Sequence, residues 1–226
     1  MTHGTHGTQA AFESALHALR VWDADLPAFD PSTAPDDPLD LFRTWFLDAA
    51  RAGQTEPHTT QLATADEDGR PDVRTVMLHG ADGRGWRFAT HSTSAKGRQL
   101  AARPYAALHF YWPLRGRQVR LRGPVTPGTP EEAYADLHAR STGALAAALT
   151  GRQSEPLASP GALAEASERA WARAEAEPTA QAPTWTVYHL VPEEAEFFQG
   201  DAHRRHVRLR YHRAPGGPWA RGLLWP

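Results

Sequence analysis

Hydrophobic positions change period several times between residues 38 and 125, and each change marks an element. Leu39, Leu41, Phe42, Trp45, Phe46 and Ala49 recur at helical spacing behind Pro38. This predicts an amphipathic helix over residues 38–52, with proline in its first turn. Alternation then takes over. Residues 59–64 read as a short strand, Asp66-Glu67-Asp68-Gly69 as a turn, and the run through 73–78 as a second strand. Asp82-Gly83-Arg84-Gly85 turns the chain into a strand over 86–90. Residues 94–102 suit a short helix, ended by Pro104. Residues 105–112 and 118–125 read as a long antiparallel pair, with apolar positions alternating with Arg, His and Gln.

After Pro127 the pattern becomes Ala-rich and helical over 129–138 and 144–150. Ser159-Pro160 starts a further helix running to about residue 177, and residues 178–183 are a loop. Strands return over 184–190, 196–199 and 207–211. Ahead of residue 38 lie a short helical stretch (10–21) and a Pro/Asp-rich segment ending at Asp36-Asp37. The expected organisation is a flexible arm over 1–37 and one domain over 38–226. That domain carries a helical insert over about 128–180 and a C-terminal portion over 185–226. Closely spaced strands with interleaved helices predict an antiparallel barrel with peripheral helices.

Composition narrows the chemistry. A net charge of −2 and a pI near 6.6 give no bulk attraction to nucleic acid or membrane. No apolar run approaches the roughly 20 residues of a membrane-spanning helix. The first residues have neither the basic start nor the apolar core of an export signal, so the cytoplasm is expected. The absence of cysteine excludes disulfides, thiolate metal sites and cysteine nucleophiles. No His-x-x-x-His pair has an acidic third ligand in place, so no metal is expected. A serine-nucleophile motif, a P-loop and a dinucleotide fingerprint are all missing.

Several segments in order carry a resemblance. They are Arg74-Thr75-Val76-Met77-Leu78, Thr90-His91-Ser92-Thr93-Ser94-Ala95-Lys96-Gly97, Arg117-Gln118-Val119-Arg120, Gln153-Ser154, Glu196-Phe197-Phe198-Gln199-Gly200, and Arg204, His206 and Arg208. From residue 38 onward the chain resembles the pyridoxamine/pyridoxine 5′-phosphate oxidase family. The resemblance implies a mainly β fold: an antiparallel split β-barrel of the six-stranded type with peripheral helices. It also implies a homodimer with FMN at the subunit interface.

The resemblance assigns Arg74 and Lys96 as charges and Thr90 and Ser94 as hydroxyl donors to the FMN phosphate. A dianion needs both kinds of partner. The backbone of Thr75, Val76, Met77 and Leu78 would lie along the isoalloxazine ring. Gln118, Gln153 and Ser154 would reach its polar edge, with Phe198 and Arg208 as further flavin contacts. Trp112, Trp185 and Phe197 are expected in the core, the commonest use of large aromatics. Three positions depart from the family: Ala89 stands for Tyr, Ala95 for Arg and Phe198 for Trp.

The substrate side departs further. Where the family holds its substrate's phosphate with Lys, Tyr, Arg and Ser, this chain has His79, Asp136, Arg140 and Ala144. Imidazole is largely neutral near pH 7 at its ordinary pKa of ~6.5. Two like charges ~5 Å apart repel by roughly 3 kcal/mol at an effective dielectric of ~20. An aspartate facing a phosphate therefore loses more than one hydrogen bond, about 1 kcal/mol, returns.

The chemistry implied is transfer of hydride from a small amine, alcohol or dihydroaromatic substrate to FMN. Oxygen then reoxidises the flavin and hydrogen peroxide forms. Arg204 and His206 are the expected catalytic pair, and both would also touch substrate. The substitutions at 79, 136 and 144 point to a substrate other than pyridoxine phosphate. Flavin oxidases of phenazine biosynthesis, which resemble this family, are a precedent. Two alternatives stand beside this reading: a genuine pyridoxamine/pyridoxine 5′-phosphate oxidase, and a non-catalytic split barrel binding flavin, deazaflavin or haem.

Overall fold

Asp37 accepts the backbone N–H of Leu39 at 2.8 Å, and Pro38 follows it, so α2 (Pro38–Arg51) begins where its capping residues dictate. A preceding helix, α1 (His3–Ala18), lies exposed along its described side chains. The computed structural model describes residues 3–22 and 25–226. Residues 1, 2, 23 and 24 of the expected arm lie outside it.

The strands are β1 (Thr59–Ala65), β2 (Pro71–Met77), β3 (Gly80–Asp82), β4 (Gly85–His91), β5 (Tyr105–Trp112), β6 (Arg117–Pro127), β7 (Trp185–Leu190), β8 (Glu194–Gln199), β9 (Val207–His212) and β10 (Ala220–Leu224). Six of them wrap into an antiparallel split barrel in the order β2-β1-β5-β6-β7-β4. The split lies between β2 and β4. There the backbone N–H of His79 donates to the carbonyl of Arg87 at 2.7 Å, beside the short β3–β4 hairpin.

On the edge opposite β5, β6 serves two neighbours in succession. Arg117–Arg122 pair with β8, and Val125–Pro127 pair with β7. Between them the backbone passes so close to the next strand connection that a Cβ at Gly123 would lie 2.2 Å from the carbonyl of Val191. β8, β9 and β10 extend the sheet beyond the barrel.

The helical period of α2 turns Leu41, Phe42, Trp45 and Ala49 inward. Phe42 meets Phe110 with ring centroids 5.0 Å apart, and Trp45 meets Phe197 at 5.3 Å. Burying side chains of this size contributes roughly 1.5–3 kcal/mol each. Trp112 and Phe197 are buried here, and Trp185 is half-buried.

The insert folds as α4 (Pro130–His138), α5 (Thr142–Thr150) and α6 (Pro160–Ala176), with α3 (Ala95–Ala102) preceding it in the chain. Thr129 and Glu132 form a reciprocal capping box at the start of α4. Leu137, Leu145, Ala148 and Ala174 make a second small core, with Trp185 against it.

One expectation differs from this structure, and one strand was not expected. The segment ahead of residue 38 is fastened at its end: Phe29 packs on the core, Ala34 is buried, and Pro35 accepts a hydrogen bond from the Tyr211 hydroxyl at 2.7 Å. Its proline-rich composition reads as an arm because composition shows neither Phe29 packing on Trp45 nor the bond from Tyr211 at the far end of the chain. β10 also escapes the sequence pattern, since Gly222 and a mostly exposed strand leave no alternation to detect.

Candidate active site

Ser94 caps α3 by accepting the Gly97 N–H at 3.2 Å, and this brings Lys96 into the interior. Nζ of Lys96 donates to Oε1 of Gln153 at 3.0 Å and to Oγ1 of Thr90 at 3.3 Å. Thr90 also donates to Gln153, and the N–H of Ala95 donates to Oγ of Ser154 at 3.1 Å. Burial pushes the Lys96 ammonium below its ordinary pKa; the nearby Arg74 charge adds to this, and Asp72 opposes it. Arg74 donates to Thr64 at 2.6 Å and to Asp72 at 2.5 Å.

The structure thus gathers six of the sequence-nominated residues into one cradle: Arg74, Thr90, Ser94, Lys96, Gln153 and Ser154. Gln153 and Ser154 arrive from the loop after α5; expected at the polar edge of the ring, they stand instead against Thr90, Ala95 and Lys96, beside the residues nominated for the phosphate. Ser154 sits there in left-handed backbone, φ 74°. A serine held in that region marks a loop position fixed by its surroundings.

β2 borders the split. Among the described residues it pairs only with β1, so its other backbone edge has no strand partner there along Thr75, Val76 and Met77. Val76 and Leu78 pack toward the core, while Met77 is exposed.

A second group sits on β6, β8 and β9. Register places Gln118 beside Phe198, and Phe198 beside Arg208, at a cavity of about 330 Å³. Gln118 meets Nε2 of His109 at 3.1 Å, and Nδ1 of His109 meets Gln61 at 3.2 Å. This polar row crosses the sheet from β1 to β6. Arg208 is engaged within the chain: Nε donates to Glu196 at 2.8 Å and a terminal nitrogen to the Trp225 carbonyl at 2.8 Å. It therefore reads first as a structural ion pair in this protomer.

Arg204 and His206 follow on the connection into β9. Nδ1 of His206 accepts the Asp201 N–H at 3.0 Å, which leaves Nε2 to carry the proton of the neutral ring. Arg204 is in left-handed backbone, φ 65°. Trp22 covers both. Its ring meets His206 edge-on at 4.5 Å, and the Arg204 guanidinium carbon lies 5.5 Å from its centroid. Sequence reasoning missed Trp22, a single aromatic in a polar segment. The one available signal was its size among residues that otherwise bury little.

The third group is the substrate-side set. His79, just past β2, and Asp136, on α4, meet with Nδ1 and Oδ1 2.7 Å apart. The other carboxylate oxygen accepts from Trp185 Nε1 at 3.3 Å. Burial raises the Asp136 pKa, but the His79 contact, the Trp185 bond and the Arg140 charge together hold it below the ordinary carboxylate value. Asp136 was expected to face substrate as a bare acid; instead both its oxygens are used internally. Arg140 lines the same cavity of about 550 Å³, together with Arg84, Arg87 and Glu132. Arg140 also lines a neighbouring chamber of about 540 Å³ with Ala144, Trp185 and Gln153.

Among the described residues there is no group of three or more His, Asp or Glu positioned to hold a metal. No helix among the described residues is long and apolar enough to cross a membrane.

Comparison with known proteins gives concordant matches. Residues 46–174 match the family model described as pyridoxamine 5′-phosphate oxidase. Residues 185–226 match the one described as pyridoxine 5′-phosphate oxidase C-terminal dimerisation region. The pyridoxine/pyridoxamine 5′-phosphate oxidase of Nitrobacter hamburgensis is 41% identical over 195 residues, 86% of this chain and 92% of that protein. The Ectopseudomonas mendocina protein of the same name is 44% identical over 199 residues, covering 85% and 90%. Among solved structures, PhzG from Burkholderia lata, in complex with tetrahydrophenazine-1-carboxylic acid, superposes with a TM-score of 0.83. Its identity is 31%, over 90% of this chain and all of that one.

The donor set suits a flavin mononucleotide. A buried ammonium whose close partners are neutral oxygens, two hydroxyls, a guanidinium and a helix start form a cradle with the charge and donors that a phosphate dianion requires.

Proposed function

The chain belongs to the pyridoxamine 5′-phosphate oxidase family, with FMN as its cofactor and the family's C-terminal dimerisation region, and on that premise we propose that it is an FMN-dependent oxidase of a small substrate lacking a phosphate dianion. The contact between His79 and Asp136 carries this reading. Whether or not the imidazole is protonated, the pair bears no net positive charge. A lysine at position 79 would bear one. Ala144 adds no donor, so Arg140 is the one cation left from the expected clamp.

Arg74, Lys96, Thr90 and Ser94 would hold the FMN phosphate, and Gln153 and Ser154 would close over it. The unpaired edge of β2 and the polar row ending at Gln118 would face the flavin ring in the homodimer. Bound FMN supplies a two-electron acceptor that oxygen regenerates, with hydrogen peroxide as product. Arg204 would cover the substrate and stabilise developing negative charge, and His206 would orient a substrate oxygen or exchange a proton through Nε2. PhzG, with its bound tetrahydrophenazine carboxylic acid, supports a dihydroaromatic or cyclic amine substrate without phosphate.

A second reading, turnover of pyridoxine or pyridoxamine 5′-phosphate, is favoured by the names of the relatives at 41% and 44% identity. Anaerobic mixing of FMN-loaded protein with both phosphates separates the two. We expect no bleaching of the flavin absorbance, with the flavin still reducible by dithionite. Rapid bleaching restored by air would establish the second reading and end the first.

A further inference from the structure

His79 and Asp136 do more than remove positive charge. Their side chains are only 9% and 17% exposed, and the contact joins segments 57 residues apart. The backbone beneath His79 is fixed on both sides: its N–H donates to Arg87 and that of Leu78 donates to His58 at 2.8 Å. Asp136 spends one oxygen on His79 and the other on Trp185. With the carboxylate ionised, Nδ1 of a neutral imidazole carries the proton toward it. The lone pair then resides on Nε2, which makes no hydrogen bond to any described residue, and His79 lines the cavity it shares with Arg140. In that neutral state the pair offers a hydrogen-bond acceptor at a place where the family's clamp offers donors.

Three arginines, Arg84, Arg87 and Arg140, line this cavity, and its carboxylate Glu132 is already engaged by Arg84 and by the cap of α4. Glu132 offsets Arg84 and Asp136 offsets a second arginine, so one net positive charge remains, which disfavours an ammonium group and falls short of a phosphate dianion. A hydroxyl is different, because it donates one hydrogen bond and accepts others. It is the small group that an imidazole acceptor and a guanidinium donor can share. We propose that His79 and Asp136 act as one hydrogen-bond-accepting pair that selects a substrate presenting a neutral hydroxyl at this end of the site. This inference rests on the reading of the chain as an oxidase of a non-phosphorylated substrate, and it names the group that replaces the phosphate.

The test uses FMN-loaded protein and two matched ligands, 4-deoxypyridoxine and its 5′-phosphate. They share one ring, differ only in hydroxyl against phosphate ester, and carry no oxidisable group at the 4-position. Binding is read from perturbation of the flavin absorbance, independently of turnover. The wild type is expected to bind the alcohol at least tenfold tighter than the phosphate. H79L is expected to lose at least tenfold in affinity for the alcohol, and H79Q, which keeps an acceptor, to stay within about threefold of wild type. H79K is expected to reverse the preference, and it replaces H79L in the comparison should H79L fail to retain FMN. Alcohol binding that persists undiminished in H79L, or a preference left unchanged in H79K, overturns this inference and leaves the proposed function standing. A wild-type preference for the phosphate overturns both. Failure of the wild type to bind either ligand overturns the inference alone.

Discussion

Nζ of Lys96 lies 3.0 Å from Oε1 of Gln153, across 57 residues of sequence. Its other close partner, Thr90, is also neutral, and the nearest influential carboxylate, Asp72, is spent on Arg74. A buried ammonium so placed has its natural counter-ion in an incoming phosphate. Lys96→Met removes the charge and keeps most of the bulk. Charge-assisted hydrogen bonds contribute about 1.5–3 kcal/mol, so FMN affinity should fall roughly 10- to 150-fold. Titration of apoprotein with FMN, followed by quenching of flavin fluorescence, measures it; an unchanged Kd would remove Lys96 from the cradle.

The same burial sets a pH dependence in the apoprotein. A lysine whose folded pKa is depressed binds fewer protons when folded than when unfolded. Stability contributed at this site therefore rises with pH, from the depressed folded pKa up to the unfolded value of ~10.4. Apo wild type should be less stable than apo Lys96→Met at neutral pH, and the gap should narrow as pH climbs toward 10. Saturating FMN should abolish or reverse it. Thermal denaturation of both proteins across pH, with and without FMN, decides this. A gap that widens with pH would refute it.

Asp136 is shifted in the same direction, so stability at this site also rises with pH, but here the depressed pKa reflects a stabilising contact rather than a buried charge. Its folded pKa is depressed, so its contribution is present above the unfolded value of ~3.9 and is lost as pH falls through the folded one. Asp136→Ala strands the buried His79 nitrogen and the Trp185 N–H, at about 1–3 kcal/mol. In a chain this long that corresponds to a Tm about 2–12 °C lower at neutral pH. The difference should shrink below pH ~4 as the wild-type carboxylate is protonated. A constant difference down to pH 3 would show that packing, not the ion pair, is what the substitution removes.

Much of this architecture was legible because local signals and tertiary contacts agree. Asp37-Pro38 and the spacing of Leu41, Trp45 and Ala49 announce α2, and α2 buries those residues. The cradle could be nominated because the segments that hold Arg74, Thr90, Ser94 and Lys96 resemble the family's in order; composition and spacing alone would have left them as ordinary solvated residues. The pairing of His79 with Asp136 was hidden: the two residues could be named, but one sequence does not reveal that α4 turns the carboxylate onto the imidazole. Trp22 was hidden for the same reason, since its neighbours His206 and Arg204 lie at the other end of the chain.

Arg204 is held in left-handed backbone beneath Trp22, while the cradle lies on other elements. Arg204→Ala should therefore separate catalysis from cofactor binding. We expect turnover of the cognate substrate to fall by at least about 100-fold, the magnitude of lost transition-state charge stabilisation, with FMN stoichiometry unchanged. Retained turnover would place the covering role on another residue. Loss of FMN would place Arg204 in the flavin site instead.

Gly97 provides the complementary test of geometry. A Cβ there would lie 2.3 Å from the carbonyl oxygen of Ser92 and 2.5 Å from that of His91. Both are backbone atoms and cannot swing aside as a side-chain tip does. Gly97→Ala must push the first turn of α3 away from the loop that feeds it, and it moves Ser94 and Lys96 together. The charge remains, but its position is lost. We expect a destabilisation of about 1–3 kcal/mol, as for overpacking elsewhere, along with FMN binding weakened at least tenfold. Lys96→Met should weaken FMN without destabilising the apoprotein, whereas Gly97→Ala should do both. If Gly97→Ala retained wild-type FMN affinity, the exact placement of the α3 start would not matter to the phosphate, and the charge of Lys96 would be sufficient by itself.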